Sequence, residues 1–522
     1  MSLPSPSSDT FDAIVIGAGH NGLVAASYLV RAGLSVALFE ARSSVGGCSS
    51  SEIMDGATVN ICNCDHITFR TTPVLEELEL AKHGLHYLDV EPNQLNISWD
   101  GGPAWAISHS VDTTLEILSQ TYPDQVEGYR RYVADALPVA RLVLAAAAAG
   151  PQPRRLIQTA LQRRGAGIAR LLRWSRMSAV DVMRTYFTDE RVYAPALATG
   201  PIVWGLSPLF PGTGLGALTF ALRHAAGVGR PAGGSGMLAD SLQSYFLTHS
   251  GSLFLGTSVE SIIIEQEKAV GVRVHDGREF RAPRVISAAD PGRTFLDWVK
   301  NPPAGAGPTI ERWRSYEHSQ GYESKIDAVI DVLPQYRQVD TSLFEKVGLD
   351  PMVASAMIVP SVAEMHAAFE MIPSGQVAER PVLFANIPTV LDPTMAPAGK
   401  HVFSLEALFT PYNHPGGWPN SAEPRRWLDR YNDLLTNDAI STMSSWRAMT
   451  PDRYESEFFM PQGHATSFAG GPIAALRGKP RELTRYETPI KGLYLCGAAT
   501  FPGAGIWGAS GRHCAQSVLR SL

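Results

Sequence analysis

The chain has few cysteines, and their spacing excludes the usual roles of cysteine clusters. Five cysteines in 522 residues do not make a disulfide framework. Cys62 and Cys64 form a C-x-C pair, but no second Cys or His pair at ligand spacing completes a four-ligand zinc site. A redox C-x-x-C is also absent, which argues against a thiol–disulfide mechanism. We therefore expect buried free thiols and no metal; the five are Cys48, Cys62, Cys64, Cys496 and Cys514.

Long apolar runs and an excess of basic charge are also missing. No run reaches the roughly 18 to 20 apolar residues that a spanning helix needs, and Pro138 and Arg141 interrupt the nearest one at 137–149. We expect that run to be a helix inside a domain. A net charge of -6 argues against nucleic acid as a general partner, because phosphate binding needs a basic surface.

The first ten residues, MSLPSPSSDT, lack the basic-then-apolar order of a signal peptide. We expect them to form a flexible arm, and we expect the protein to be cytoplasmic. Hydrophobic residues make up 45% of the chain and charged residues 18%, which is typical of a soluble globular protein. A length of 522 residues predicts two domains, with the chain passing between them more than once.

The most informative feature that is present is a βαβ nucleotide-binding pattern at residues 11–47. Its parts are an apolar strand at 13–16, Gly17, Gly19 and Gly22 at G-x-G-x-x-G spacing, an Ala-rich helix, a strand at 35–39 and the acid Glu40. The first glycine permits the tight turn, the second lets a pyrophosphate approach the backbone, and the third lets the helix pack on the sheet. Glu40 is placed to accept hydrogen bonds from a ribose. His20 and Asn21, at the amino end of the helix, belong to the same predicted site.

The residues after Glu40 indicate which nucleotide is bound. Arg42, Gly46 and Gly47 form an R-x-x-x-G-G extension, and the whole run resembles the FAD-binding amino terminus of the amine oxidase and phytoene desaturase flavoproteins. In those families the arginine and the glycine pair line the pyrophosphate and the flavin edge. The resemblance therefore implies FAD rather than NAD, with Ala41 in the same contact segment.

The carboxyl end resembles the same flavoproteins. Residues 491–519 contain a strand, a glycine-rich turn and a helix that match the L-Y-L-x-G-x-x-x-x-P-G-x-G-x-x-G motif with which this superfamily ends. A run at 387–401 resembles the phytoene dehydrogenase-related branch, which includes the pyridine nucleotide-disulphide oxidoreductase domain-containing type 2 proteins. The resemblance implies flavin contacts from Gly497, Gly505, Ile506 and Gly508, and a backbone contact from Val259 to the adenine.

The predicted fold class is α/β, with a Rossmann-type FAD-binding domain interleaved with an α+β substrate domain and a helical cap. The predicted bounds are 10–100, 230–300 and 485–522 for the FAD-binding domain, 101–229 for the cap, and 301–484 for the substrate domain. Within the cap, residues 154–184 hold eight arginines and one acid, Asp181. We interpret this basic segment as a solvated helical face, with peripheral membrane contact as the alternative.

The predicted function is that of an FAD-dependent dehydrogenase, desaturase or oxidase that transfers hydride from an apolar or natural-product substrate to flavin N5. Oxygen or a quinone is the expected electron acceptor. His66 is the first candidate for a proton acceptor, and a structural histidine bonded to its surroundings is the competing interpretation. Three other functions stay open: a flavin amine or amino-acid oxidase, a non-catalytic flavoprotein that acts as a binding or chaperone-like protein, and a redox-neutral isomerase that uses reduced flavin.

Overall fold

The computed structural model describes residues 9–62, 65–468 and 470–522. The expectation of a flexible arm falls mostly outside the described residues, as does the thiol state of Cys64. Within the described ranges, no three His, Cys, Asp or Glu side chains are grouped so as to hold a metal ion.

The strands alternate with helices in the first and last parts of the chain and are longest between residues 321 and 411. They are β1 Ala13–Ile16, β2 Val36–Phe39, β3 Ser51–Met54, β4 Ala57–Asn60, β5 Tyr87–Asp89, β6 Gln94–Ser98, β7 Trp105–Ile107, β8 Gly229–Pro231, β9 Ser252–Phe254, β10 Val259–Glu265, β11 Lys268–Val274, β12 Glu279–Arg281, β13 Val285–Ser287, β14 Gly321–Ile330, β15 Ala356–Val359, β16 Leu383–Asn386, β17 His401–Pro411, β18 Ser445–Met449 and β19 Leu493–Leu495.

The helices are concentrated between residues 111 and 248. They are α1 His20–Arg31, α2 Val74–Glu77, α3 Val111–Thr121, α4 Val126–Ala149, α5 Pro153–Gln162, α6 Ile168–Trp174, α7 Ala179–Arg184, α8 Glu190–Thr199, α9 Thr219–Ala225, α10 Gly236–Thr248, α11 Gly307–Arg314, α12 Thr341–Lys346, α13 Val362–Met371, α14 Pro388–Leu391, α15 Glu423–Asn432, α16 Pro451–Phe458, α17 Gly471–Arg477, α18 Arg481–Thr484 and α19 Ala509–Leu519.

Five parallel strands in the order β19-β13-β1-β2-β9 form the nucleotide-binding sheet. All four residues of β1 and of β2 are buried, as expected of strands that are covered on both faces. Helices α1, α10 and α19 pack together, and their apolar residues share one core with the sheet. This arrangement confirms the predicted α/β fold class with a Rossmann-type domain.

A second, seven-stranded sheet has the order β18-β14-β17-β16-β15-β6-β7 and is mostly antiparallel. It contains β6, although the predicted FAD-binding segment extends to residue 100. We correct that bound, because β6 pairs in parallel with β15 and antiparallel with β7, so residues 94–98 belong to the substrate sheet. By contrast, β8, at the predicted start of the second FAD segment, pairs with β5 in the first predicted FAD segment.

The cap consists of helices α3 to α9. The predicted helix at 137–149 is the second half of α4, which continues through Pro138. By length and composition the helical stretch at 123–149 could cross a membrane, but half of its most apolar part is buried inside the molecule. Its neighbours are other cap helices, α3, α5, α6 and α9, so α4 has the packing of a core helix.

Candidate flavin site

The three glycines of the first turn have three different surroundings. Gly17 has a φ of +95°, which favours glycine. A Cβ on Gly22 would lie 2.0 Å from the carbonyl oxygen of Gly17, so this position is closed by packing. A Cβ on Gly19 would meet no atom within 4 Å. Of the three, Gly19 is therefore the one beside open space, where a phosphate could approach the backbone.

The amino end of α1 is prepared for an anion. Among the described residues no side chain caps this helix, so the N–H groups of its first turn remain available to phosphate oxygens. Gly46 donates its N–H to the carbonyl of Ala18 at 2.8 Å, which holds the glycine pair beside the turn. These features, together with the open space at Gly19, fit the pyrophosphate of FAD.

Glu40 stands at the end of β2, where the motif predicts it. Its carboxylate accepts hydrogen bonds from the backbone N–H of Ala18 at 2.8 Å and of Arg42 at 2.9 Å. Glu40 is buried, yet it lines the open cleft beside the turn. Each carboxylate oxygen has a second lone pair, so Glu40 can hold the turn and accept from a ribose hydroxyl at once.

A cleft of about 220 Å³ begins at this turn. Seven predicted residues line it: Gly17, Gly19, Glu40, Ala41, Arg42, Gly47 and Val259. The motifs did not predict much of its remaining lining, which includes 257–258, 288–291, 458–461 and 498–499. Residues 288–291 follow β13, so their place could have been inferred from the parallel sheet, whereas 458–461 carry no sequence signal and are brought there only by the tertiary fold.

The carboxyl-terminal loop lies against the first turn, although the two are separated by almost the whole chain. The His20 ring hydrogen-bonds to the backbone of Gly505, and burial lowers the pKa of His20 to about 4. Asn21 bonds to His20 at 2.9 Å and accepts from the N–H of Gly511 at 3.3 Å. His20 and Asn21 therefore join the two glycine clusters.

The flavin loop, residues 503–508, is shaped by glycine. Gly505 and Gly508 have φ values of +101° and +67°, and a Cβ on Gly508 would lie 2.8 Å from the Phe69 ring. Thr68 donates its hydroxyl to the carbonyl of Ile506 at 2.7 Å, which ties the loop to the segment that follows His66. Gly497 donates its N–H to Ser510 at 2.8 Å, at the start of α19.

His66 is completely buried beside this loop. Its Nδ1 bonds to the Tyr87 hydroxyl at 2.8 Å and its Nε2 to the Ser235 hydroxyl at 2.8 Å. Burial, together with the neighbouring His20, lowers the pKa of His66 to about 3, so the ring is neutral at pH 7. Both nitrogens are thus engaged, as expected of a structural histidine. A catalytic role for His66 stays a prediction.

One face of the seven-stranded sheet carries ionisable side chains inside the molecule. Lys325 lies directly opposite Glu406 in the β14–β17 register, and Asp327 lies opposite Ser404. Lys325 pairs with Asp327 and donates to the carbonyl of Asn60 at 2.6 Å. Asn60 ends β4, so this polar face is turned toward the FAD-binding domain. The other face, with Ile326 and Leu405, belongs to the large apolar core.

Hydrogen bonds connect the polar face to His66. The side-chain oxygen of Asn60 accepts from the N–H of Ser235 at 2.8 Å, and the Ser235 hydroxyl bonds to His66. On the other side, Asp65 forms a buried ion pair with Arg230 at 2.7 Å and accepts from Ser355 on the seven-stranded sheet. The predicted proton acceptor therefore lies in a polar layer between the two domains.

Replacing Glu40 by Ala should weaken FAD binding by about 1.5 to 3 kcal/mol, because a charge-assisted ribose bond is lost and the N–H groups of Ala18 and Arg42 lose their acceptor. The flavin dissociation constant, measured by fluorescence on reconstitution, checks this. Glu40→Gln keeps an acceptor oxygen and should lose less. Wild-type affinity in both variants would remove Glu40 from the site.

Comparisons with known proteins agree with this geometry. Residues 22–295 match the family described as flavin containing amine oxidoreductase. The chain is 30% identical to pyridine nucleotide-disulfide oxidoreductase domain-containing protein 2 of Mus musculus, over 98% of this chain and 94% of that protein. It is 25% identical to the lycopene-forming phytoene desaturase of a Paracoccus strain, over 100% and 99%.

A solved structure shares the fold. An oxidoreductase from Methanosarcina mazei superimposes with a TM-score of 0.66 at 17% identity, covering 97% of this chain and 99% of that one. The family match and the relatives confirm the predicted resemblance, FAD as cofactor and an oxidoreductase activity. The chain belongs to the flavin-containing amine oxidoreductase family and is an FAD-dependent oxidoreductase.

Proposed function

We propose that this oxidoreductase removes hydride from a C–H bond of a small natural product that lies between the flavin loop and the polar face of the seven-stranded sheet. Bound FAD supplies the two-electron acceptor. The polar face carries the proposal, since it is the surface of the substrate domain that is turned toward the cofactor domain. The residues of this chain would hold and orient the substrate and exclude water.

The polar face also bears on the class of substrate. Buried polar atoms of Gln94, Asn96, Ser404 and Glu406 have no hydrogen-bond partner among the described residues. Leaving such a group unpaired costs about 1 to 3 kcal/mol, so a ligand that pairs with one gains affinity and specificity. This supports a natural product with at least one hydroxyl or amino group over a pure hydrocarbon.

An amine or amino-acid oxidase is the second candidate, and the unpaired carboxylate oxygen of Glu406 favours it. The experiment that separates the candidates is anaerobic reduction of the bound flavin by a panel of amines, amino acids, terpenoid alcohols and carotenoid hydrocarbons. Bleaching by an alcohol and not by the matching amine supports the first proposal, and the reverse supports the second. No bleaching by any of them, with dithionite as positive control, would favour a non-catalytic flavoprotein.

For the other half-reaction we propose oxygen or a quinone as acceptor, in the cytoplasm. The basic segment 154–184 supports peripheral attachment to an acidic membrane, because α5 and α6 expose Ile157, Leu161 and Leu172 among the arginines. Sedimentation with phosphatidylserine vesicles tests this, with phosphatidylcholine vesicles as the uncharged control. If the protein is absent from both vesicle pellets, the basic segment is a solvated helical face and not a membrane contact.

His66→Ala is the test of the proposed proton acceptor. If the ring takes the substrate proton, flavin reduction should slow by about 10² to 10⁴ at unchanged flavin content. His224→Ala is the matched control, since this ring is also buried and bonds to Tyr129 at 2.8 Å, but within the cap. A His66→Ala enzyme that loses stability or flavin but keeps its reduction rate would assign the histidine to the scaffold.

A further inference from the structure

Two buried glutamates on the polar face lack the ion pairs that three other buried acids have. Asp65 is paired with Arg230, Asp327 with Lys325, and Glu482 with Arg312. Glu323 and Glu406 are only 5% and 2% exposed, and neither forms a salt bridge within the described ranges. Burying an unpaired carboxylate is costly, so the pair calls for a functional explanation.

The nearby cations are already engaged. The Lys325 ammonium, opposite Glu406 in the register, contacts Asp327 and the carbonyl of Asn60. Arg447 lies between Asp327, at 3.3 Å, and Glu52. One oxygen of Glu406 has no partner in the described part of the chain, and neither has the Ser404 hydroxyl, which is buried on the same face two residues away. The unpartnered oxygen of Glu406 is therefore free to take up a proton.

The surroundings make the two glutamates titrate together. Burial is the largest effect on Glu406, and it raises the pKa of this carboxyl to about 7. The negative charges of Asp327 and Asp65 act in the same direction, and the positive charge of Lys325 acts against them. Burial and the neighbouring Glu406 raise the pKa of Glu323 far above its usual range. Like charges so close together do not ionise independently. The other titratable or charged groups that face the pair are Lys325, Asp327, Asp65, Cys62, Cys48, Tyr322, Tyr454 and Arg447.

The pair lies close to the flavin cleft. Cys62, near both glutamates, hydrogen-bonds to the thiol of Cys48. Cys48 in turn contacts the Met460 sulfur at 3.1 Å and follows Gly47, and both Gly47 and Met460 line the cleft. Two thiol side chains thus separate the carboxyl pair from the cofactor site. Across a layer of protein side chains, charge added at the cofactor acts more strongly on a carboxylate than it would across bulk water.

We propose that Glu406, assisted by Glu323, is a redox-linked proton site. When two electrons enter the flavin, one proton from solvent goes to the flavin and one further proton from solvent goes to the Glu406 carboxylate. The added negative charge near the pair makes its protonated form more stable. This inference depends on bound FAD, and it does not depend on the substrate proposed above.

The test measures the flavin midpoint potential of the holoenzyme between pH 6 and 9, with dithionite as reductant and a reference dye, so no substrate is needed. Above about pH 7 the wild type should take up one proton more than Glu406→Gln per two electrons. One extra proton makes the equilibrium constant of flavin reduction change tenfold more per pH unit. The midpoint potential of this two-electron couple should therefore fall by about 30 mV more per pH unit in the wild type than in Glu406→Gln. A pH-indicator dye in weakly buffered solution should count the same extra proton.

Two further variants separate proton uptake from a merely structural effect. Glu406→Asp keeps a carboxyl group and should keep the extra proton. Glu364→Gln, which removes the carboxylate that pairs with Arg380 on the same domain, should behave as wild type. A wild type with no extra proton, or an identical pH slope in wild type and Glu406→Gln, overturns the proposal. Should Glu406→Gln lose its flavin, the wild type and Glu406→Asp must each still take up two protons per two electrons above about pH 7, and uptake of only one overturns the proposal equally.

Discussion

Gly19→Val should give a folded protein that purifies almost without yellow colour. Gly19 is the N-cap residue of α1 and has an ordinary extended conformation, with φ at -64°. A Cβ there would meet no atom within 4 Å, so the substitution strains neither the backbone nor the core. The valine side chain would instead occupy the space in which the pyrophosphate approaches α1. Overpacking that costs about 1 to 3 kcal/mol corresponds to an FAD affinity that is lower by about 5- to 150-fold.

The measurement is flavin content by absorbance after gel filtration, together with circular dichroism of the apoprotein. Gly305→Val is the matched control, because its Cβ also has open space, but far from the glycine-rich turns in sequence. The control should keep full flavin. Full flavin in Gly19→Val would show that the pyrophosphate lies elsewhere, and an unfolded Gly19→Val would show that the turn tolerates no side chain even without a ligand.

Lys325→Met should lower the free energy of unfolding by about 3 to 5 kcal/mol. The ammonium is 1% exposed and pairs with Asp327, which is 0% exposed, so its removal leaves a buried carboxylate without its ammonium partner. Urea unfolding followed by circular dichroism measures the change.

Lys400→Met provides the control for this prediction. Lys400 pairs with Asp331, again a lysine with an aspartate of the same domain, but both side chains are more than a third exposed. Its loss should cost about 0 to 1 kcal/mol. Equal effects at Lys325 and Lys400 would mean that the Lys325–Asp327 pair is hydrated in solution.

The local sequence determined the nucleotide-binding half of this protein. Gly17, Gly19, Gly22 and Glu40 act through backbone conformation and contacts within one βαβ unit, and a strand, a turn and a helix are short-range structures. Such a pattern can be interpreted without knowing the rest of the fold. The same holds for the glycine-rich loop before α19, which requires positive φ at Gly505 and Gly508.

Only the tertiary structure decided what faces that half. The polar face brings together Glu323, Lys325 and Glu406, which alternate along two strands and resemble ordinary edge-strand charges until the β14–β17 register buries them. The pairing of β6 with β15 assigned residues 94–98 to the substrate sheet, against the predicted bound at 100. Long-range strand pairing depends on the whole chain, so no local pattern could bring these groups together inside the molecule.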